Sequence, residues 1–323
     1  MSKFSSVIIG TGSYLPKQVM SNDELAKTID TSDEWISSRT GIKQRHIVQN
    51  NEFTSDMAYI AAKNAIETSG INQDEIDMII VATTSPDRSF PAVAVMVQAK
   101  LGINNIPAFD VQAVCSGFVY GITIADNFIK AGSVKTILVI GADSMSKLVN
   151  WKDRNTCVLF GDGAGAVILK AHTSNEHEGI ISTKINAEGS LESILYTDGG
   201  VGINQKSGHV IMAGKEVFKH AVEKMSQNIL DLLELSKYNK EDLDWVIPHQ
   251  ANARILEAIG ARLNIPSSKL VMTLDKHANT SAATIPLAID HQAKAGKIKS
   301  NDLIITTALG GGLTWGGCLL RWL

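Results

Sequence analysis

Cysteine is scarce in this chain: three residues in 323, at Cys115, Cys157 and Cys318. They are too few and too scattered for a disulfide framework or a paired-cysteine metal site, so no metal is expected. With seven prolines and no proline- or serine-rich linker, nothing divides the chain into beads on a string. A basic excess is missing too. Thirty Lys and Arg against 33 Asp and Glu give a net charge of -3, which argues against a general nucleic-acid binder and leaves room only for a local basic patch. The apolar run at 7–9 is too short for a signal peptide. The longest uncharged stretch, 303–320, holds five glycines and three threonines, so it reads as a strand, a glycine turn and a second strand rather than a membrane span. No membrane association is expected, and the three unpaired cysteines suit a reducing, cytoplasmic compartment.

What is present is enough apolar residue, 44%, to bury a large core over about two domains' length. Strand-like runs at 7–9, 78–82, 136–140, 166–169, 245–247 and 303–306 alternate with amphipathic segments, the pattern of an α/β protein. The clearest helix is 218–235, with Val222, Met225, Ile229, Leu232 and Leu233 on one face. The chain also repeats itself. Asp74-Glu75-Ile76-Asp77-Met78-Ile79-Ile80 reads like Glu241-Asp242-Leu243-Asp244-Trp245-Val246-Ile247. Ala99-Lys100-Leu101-Gly102-Ile103 reads like Ala261-Arg262-Leu263-Asn264-Ile265, and Ala131-Gly132 like Ala295-Gly296. The offsets stay between 162 and 167 residues, as two copies of one α/β unit require. The seam falls near 170–180, giving halves 1–173 and 174–323. The same offset pairs Cys115 with Asn279, each in a turn running into a helix, and face-to-face halves would bring those helix starts together.

Cys115, followed by Ser116-Gly117 and an uncharged helical segment, sits where unpaired backbone N–H groups favour a thiolate nucleophile; the bland alternative is a buried structural cysteine. Cys157 and Cys318 lie inside apolar runs and keep the bland reading. His249 follows the strand 245–247 directly, and ligand sites of open α/β sheets lie at such strand ends. Asn279 alone would be a helix cap. Gly161-Asp162-Gly163-Ala164-Gly165 precedes a strand instead of following one, so it is no dinucleotide fingerprint, and GxSxG, HExxH and GxxxxGK[ST] do not occur. Gly310-Gly311-Gly312 is either a tight turn or a place where backbone N–H groups meet an oxyanion.

Together, Cys115, His249, Asn279, the Gly161–Gly165 run and Gly310-Gly311-Gly312-Leu313-Thr314-Trp315-Gly316 resemble the β-ketoacyl-acyl-carrier-protein synthase III enzymes of the thiolase superfamily. The resemblance extends to Gly10-Thr11-Gly12-Ser13-Tyr14-Leu15-Pro16, Asp30-Thr31-Ser32-Asp33-Glu34-Trp35 and Arg39-Thr40-Gly41-Ile42. It implies a five-layered αβαβα sandwich of two duplicated halves, usually a homodimer. The implied reaction joins an acyl-CoA, in the first instance acetyl-CoA, to malonyl-acyl-carrier protein with loss of CO₂ through an acyl-Cys115 intermediate. No cofactor is implied: the CoA is a substrate and the phosphopantetheine arrives on the carrier protein. By resemblance His249 and Asn279 donate hydrogen bonds to the malonyl thioester oxygen, and the Cys115 and Gly311 N–H groups hold the oxyanion. Trp35 and Arg154 sandwich the CoA adenine, Thr31 and Arg39 follow the nucleotide, Asn252 meets the pantetheine arm, and Phe90 closes the acyl pocket from a partner subunit. The carrier protein meets Lys219, Gln250, Ala251, Asn252, Ala253, Arg254 and Arg262.

Several positions depart from the family pattern. Leu309 and Leu313 stand where phenylalanine is common, Lys215 replaces a frequent asparagine and Ala278 a frequent glycine. A smaller Leu309 is expected to admit a bulkier starter. The rival readings are a starter or acyl-transfer relative of polyketide or quinolone synthesis, a thiolase, and a catalytically dead acyl- or carrier-protein-binding module. A thiolase needs a second catalytic cysteine, which Cys318 does not resemble, and the retained Cys115, His249, Asn279 and glycine turn speak against the dead module.

Overall fold

The computed structural model describes residues 4–173 and 178–323. The first half runs through β1 (Ser5–Tyr14), the antiparallel pair β2 (Gln18–Ser21) and β3 (Gln44–Ile47), and between them α1 (Asn22–Ala26) and α2 (Asp33–Thr40). It continues with α3 (Thr54–Ser69), β4 (Met78–Ala82), α4 (Val93–Leu101), β5 (Ala108–Val111), α5 (Gly117–Lys130), β6 (Thr136–Ser144) and β7 (Asp162–His172). The second half comprises β8 (Gly179–Ala187), the pair β9 (Leu195–Thr197) and β10 (Val210–Met212), α6 (Gly214–Ser236), β11 (Trp245–Pro248), α7 (Ala253–Leu263), α8 (Leu274–His277), α9 (Thr284–Lys294), β12 (Leu303–Gly310) and β13 (Thr314–Arg321).

Two sheets carry the fold, ordered β1-β7-β6-β4-β5 and β11-β12-β13-β8. Their pairings follow one succession. β4 lies parallel to β6, which is antiparallel to β7, which is antiparallel to β1. Likewise β11 lies parallel to β12, which is antiparallel to β13, which is antiparallel to β8. The counterpart of β5 shrinks to a parallel bridge between Val246 and Leu270. The halves are duplicates.

The strand sequences show why the sheets are stacked. Successive residues of a strand face opposite ways, so a strand covered on both faces must be apolar throughout. Along β4 and β6, Met78, Ile80, Ile137 and Val139 join Phe118, Ile122, Ile285 and Ile289 of α5 and α9. Ile79, Val81, Leu138 and Ile140 turn instead to Met57, Ala61, Val93 and Val97 of α3 and α4. In the second sheet Ile247 and Ile304 share the central core, while Val246 and Ile305 pack against Met225, Ile229, Leu256 and Ile259 of α6 and α7. Hence five layers: α3 and α4, a sheet, α5 and α9, a sheet, α6 and α7. The start of α9 lies directly on the first sheet at Gly141 and Gly165, which pair across β6 and β7. A Cβ on Gly141 would come 2.3 Å from the Ala282 carbonyl, and one on Gly165 2.6 Å from the Leu287 nitrogen.

The expected strands are all present, and most run longer than the apolar cores that reveal them. β8 escapes the sequence reading because the polar run Ser182-Thr183-Lys184 interrupts its apolar residues. The helix expected at 218–235 begins earlier, at Gly214. The expected seam after residue 173 meets residues 174–177, which lie outside the described residues. Among the described residues no helix is long and apolar enough to cross a membrane.

Candidate active site

Cys115 follows β5 in a tight turn that enters α5. Val114, immediately before it, holds φ +48°, a left-handed conformation unusual for a β-branched residue and costing of order 1–3 kcal/mol. What holds the turn is the glycine segment between β12 and β13. The Ser116 and Thr314 hydroxyls lie 2.7 Å apart, and both reach the Ala113 carbonyl, at 2.7 and 3.0 Å. A Cβ on Gly310 would sit 2.6 Å from that carbonyl and 2.8 Å from the Cys115 nitrogen, so only glycine lets the segment lie against Cys115. Gly311 joins Cys115 in lining the space beyond.

His249 leaves the end of β11, its N–H donating to the Thr307 carbonyl (2.8 Å) and its Nδ1 lying 2.7 Å from Thr284 Oγ1. Asn279 is clamped to the other half: its N–H donates to the Leu159 carbonyl (2.9 Å), and its carbonyl accepts from the Gly161 N–H (3.1 Å). The Asn279 Oδ1 accepts the Ser281 N–H at 2.9 Å, leaving the amide's NH₂ as the free end. As the repeat implied, the two helix starts meet: a Cβ on Gly117 would lie 3.6 Å from the Ala282 Cβ.

Cys115, His249 and Asn279 open on one cavity of about 280 Å³, lined towards its mouth by Trp35, Arg39, Phe218, Ala251, Asn252 and Arg254. Cys115 also faces a second space of about 140 Å³ between Val114, Met145, Leu148, Phe160, Leu195 and Val210. Burial fixes the charge states. It pushes the Cys115 thiol up to about 12, with the buried Asp143 carboxylate adding to the rise. The Ser281 hydroxyl lowers it by more than Asp143 raises it, but burial outweighs both. Loss of water outweighs the helix start, so the resting sulfur is a thiol, not the thiolate expected from position alone. The same burial drives His249 down to about 3, which keeps the imidazole neutral.

Asp143 is a functional neighbour that the sequence did not signal, being one acid in a strand. Its Oδ1 accepts from the N–H groups of Thr84 and Ser85 and both of their neighbouring hydroxyls, Thr83 and Ser85; its Oδ2 accepts from the Ala282 N–H at 3.1 Å. It therefore ties the first half to the start of α9 behind Cys115.

The mouth forms because α2 is well capped. Ser32 Oγ accepts the Trp35 N–H (3.1 Å), Asp33 and Glu34 fill the first turn, and Gly41 closes the helix at φ +77°. Trp35 and Arg39 stand one turn apart, with the guanidinium 4.6 Å from the ring centre. Arg154 also lies over that ring, at 5.0 Å, and donates to the Asp30 carbonyl at 2.9 Å. A base stacked between Trp35 and Arg154 thus requires the arginine to move. Asn252 caps α7, its Oδ1 accepting the Arg254 N–H at 2.9 Å.

Other expected contacts fall elsewhere. Gln250 is fully buried and its amide is spent on the Pro248 and Val271 carbonyls and the Thr273 N–H, so it cannot meet a carrier protein. Leu309 faces the α6 and α7 core and lines neither space, because strand alternation turns it away from the cavity. The side chains that do line the 140 Å³ space include Met145, Leu148, Leu195 and Val210. Thr31 does not line the cavity, and its Oγ1 is buried without a partner. Ala253 is half-buried beneath α2, where a Cβ on Gly41 would lie 2.7 Å from its own. Lys219, Arg254 and Arg262 are exposed, and Phe90 is 84% exposed, outside both linings.

A sequence profile described as 3-oxoacyl-[acyl-carrier-protein (ACP)] synthase III matches residues 109–189, and its C-terminal companion matches residues 233–322. The β-ketoacyl-[acyl-carrier-protein] synthase III of Ehrlichia canis is 56% identical over 316 residues, covering 98% of this chain and 99% of that one. The chain belongs to the 3-oxoacyl-acyl-carrier-protein synthase III family. It is an acyltransferase of the thiolase-like condensing type. The crystal structure of the synthase III from Aquifex aeolicus VF5 matches at TM-score 0.93 and 48% identity, covering 98% of this chain and all of that one. The priming β-ketosynthase of the R1128 polyketide pathway matches at TM-score 0.94 and 30% identity, covering 99% and 97%.

Proposed function

We propose that the chain starts fatty acid synthesis by a decarboxylative Claisen condensation between an acyl-CoA, acetyl-CoA first, and malonyl-acyl-carrier protein. The observation that carries this reading is the opening of Cys115, His249 and Asn279 on one cavity, each uncharged. Cys115 sulfur attacks the acyl-CoA carbonyl, its proton leaves with the CoA thiol, and the acyl group stays as a Cys115 thioester. The Cys115 and Gly311 N–H groups hold the oxyanion. Malonyl-acyl-carrier protein then loses CO₂, and the electron pair passes to an enolate whose oxygen accepts hydrogen bonds from His249 and the Asn279 amide. The enolate carbon attacks the acyl thioester, and the Cys115 sulfur leaves and recovers a proton. A neutral imidazole suits this role, because decarboxylation itself supplies the carbanion and no base has to remove a proton.

In this reading the 280 Å³ cavity takes the pantetheine arm and the 140 Å³ space takes the acyl chain. Lys219, Arg254 and Arg262 form the rim for the acidic carrier protein, so a net charge of -3 is no obstacle. Phe90, exposed here, closes the acyl space of a second copy in a homodimer, and the chain divides into halves at 173/174. No cofactor takes part. The likeness to a priming polyketide ketosynthase supports one rival, the same chemistry on a different acyl acceptor.

Intact mass after incubation with acetyl-CoA tests the first step: one acetyl group gained by the wild type and none by Cys115→Ala. Addition of malonyl-acyl-carrier protein should then release CO₂ and a β-ketoacyl product. An adduct that forms only with a longer or branched acyl-CoA changes the starter. No adduct with any acyl-CoA puts the binding-module reading first.

A further inference from the structure

His249 Nδ1 has one side-chain partner, the Thr284 hydroxyl at 2.7 Å, and both residues are buried. That hydroxyl also lies 3.1 Å from the Ser281 carbonyl. It has a single proton to give. If the proton goes to Ser281, Nδ1 must carry the ring hydrogen, and Nε2 meets the cavity as an acceptor. If it goes to Nδ1, Nε2 carries the hydrogen and meets the cavity as a donor. The Nδ1 contact is the shorter of the two, 2.7 against 3.1 Å, and the Ser281 carbonyl is already satisfied by the Thr284 backbone N–H, so the hydroxyl proton is better directed to Nδ1. Because burial keeps the ring neutral, it holds one proton only, and the tautomer decides what His249 can do.

We propose that Thr284 is a positioning residue that donates its hydroxyl proton to His249 Nδ1 and holds the ring in its Nε2–H tautomer, as a donor facing the cavity. The same turn treats Asn279 alike. There the Ser281 N–H occupies Oδ1 and leaves the NH₂ as the free end. Two groups of one short segment, the backbone of Ser281 and the side chain of Thr284, thus set the proton polarity of both donors that the condensation needs. The tautomer assignment rests on geometry; its catalytic consequence rests on the function proposed above.

The test reads the tautomer directly. In a long-range ¹H–¹⁵N spectrum of full-length protein labelled with ¹⁵N-histidine, with the His249 signals assigned by their loss in His249→Gln, Nε2 should be the hydrogen-bearing nitrogen and Nδ1 the bare one. Wild-type protein with hydrogen on Nδ1 overturns the proposal. Thr284→Val keeps the shape and removes the hydroxyl, and should lose the hydrogen-bonded Nδ1 signature; Thr284→Ser should restore it. In the two half-reactions, Thr284→Val should slow malonyl decarboxylation by about tenfold, the effect of losing one net hydrogen bond, and leave Cys115 acylation within twofold. Thr284→Ser should recover decarboxylation. Equal loss of both half-reactions, or no recovery with serine, makes Thr284 merely structural and overturns its role. A wild type that carries the Nε2 hydrogen but does not decarboxylate malonyl thioesters sinks the proposed function and leaves the tautomer assignment standing.

Discussion

The starts of α5 and α9 are one turn used twice. In each a single 3₁₀ turn leads into the helix and opens on a residue of positive φ: Val114, at +48°, immediately before Cys115, and Ser281, at +52°, two residues after Asn279. The backbone device is duplicated and the chemistry is not. In the first half the glycine segment presses against the Cys115 N–H. In the second, the turn spends its own groups, the Ser281 N–H and the Thr284 hydroxyl, on fixing donors. Burial completes the contrast by acting on opposite charges: it raises an acid such as the thiol and depresses a base such as the imidazole, leaving both neutral at rest.

The sharpest way to break that comparison is to remove one side at a time. Cys115→Ala should abolish acyl transfer, a loss of roughly 10³-fold or more, with no acyl adduct by mass. Asn279→Ala should still acylate and lose about 10²-fold in malonyl decarboxylation. Equal loss of both half-reactions in the two variants would mean that the halves do not divide the work.

Gly310→Ala comes next. Its Cβ would meet the Ala113 carbonyl at 2.6 Å and the Cys115 nitrogen at 2.8 Å, displacing the segment that backs the nucleophile. Condensation should fall about 10²-fold with the loss of an oxyanion donor, and the urea midpoint should drop by the equivalent of about 1–3 kcal/mol. An active, fully stable variant would show that the close approach is dispensable.

The charge contrast is tested by pH. His249 and His277 are held neutral by burial, down to about 3 and about 4. Unfolded rings take up protons below about pH 6.5 while the folded ones do not. Stability from these groups is therefore complete above that pH and is lost as pH falls from 6.5 towards 4. The slope is about 1.4 kcal/mol per pH unit for each ring. Urea melts at pH 7 and pH 5 should show it, and His277→Asn should remove about half of the slope. Because the buried Asp162 carboxyl, raised to about 6, contributes a slope of the opposite sign, the decisive reading is the difference between variants: an unchanged slope in His277→Asn would mean that this ring is hydrated.

The smallest effect tests the strain at Ala278, the residue before Asn279. Ala278→Gly should relieve the φ +57° backbone and, after the entropy glycine adds to the unfolded chain, raise stability by about 1 kcal/mol with decarboxylation unchanged. A lowered melting temperature would show that the Ala278 methyl packs better than the backbone is strained.

Much of this was legible before folding was considered. The repeat gave the duplicated halves, and with them the meeting of the Cys115 and Asn279 turns. Family motifs identified His249, Trp35, Arg39 and Asn252, all of which line the cavity. What misled was adjacency in sequence. Gln250 sits between His249 and the cavity-lining Ala251, yet its amide turns inward to hold the chain together. Leu309 sits next to the glycine segment, yet faces the opposite layer. Asp143 and Thr284 gave no signal, since an acid in a strand and a threonine in a helix are ordinary until their partners from 58 to 139 residues away, and 35 residues away, arrive.

The sequence by itself determined the α/β halves, the family and the reactive residue types, because periodicity, repeat and motif are local properties of a chain. The tertiary structure decided which neighbours face the cavity, that the thiol and the imidazole are both neutral, and which end of each donor is free. Those depend on solvent exclusion and on hydrogen bonds between distant segments, which exist only once the two sheets have closed over the site.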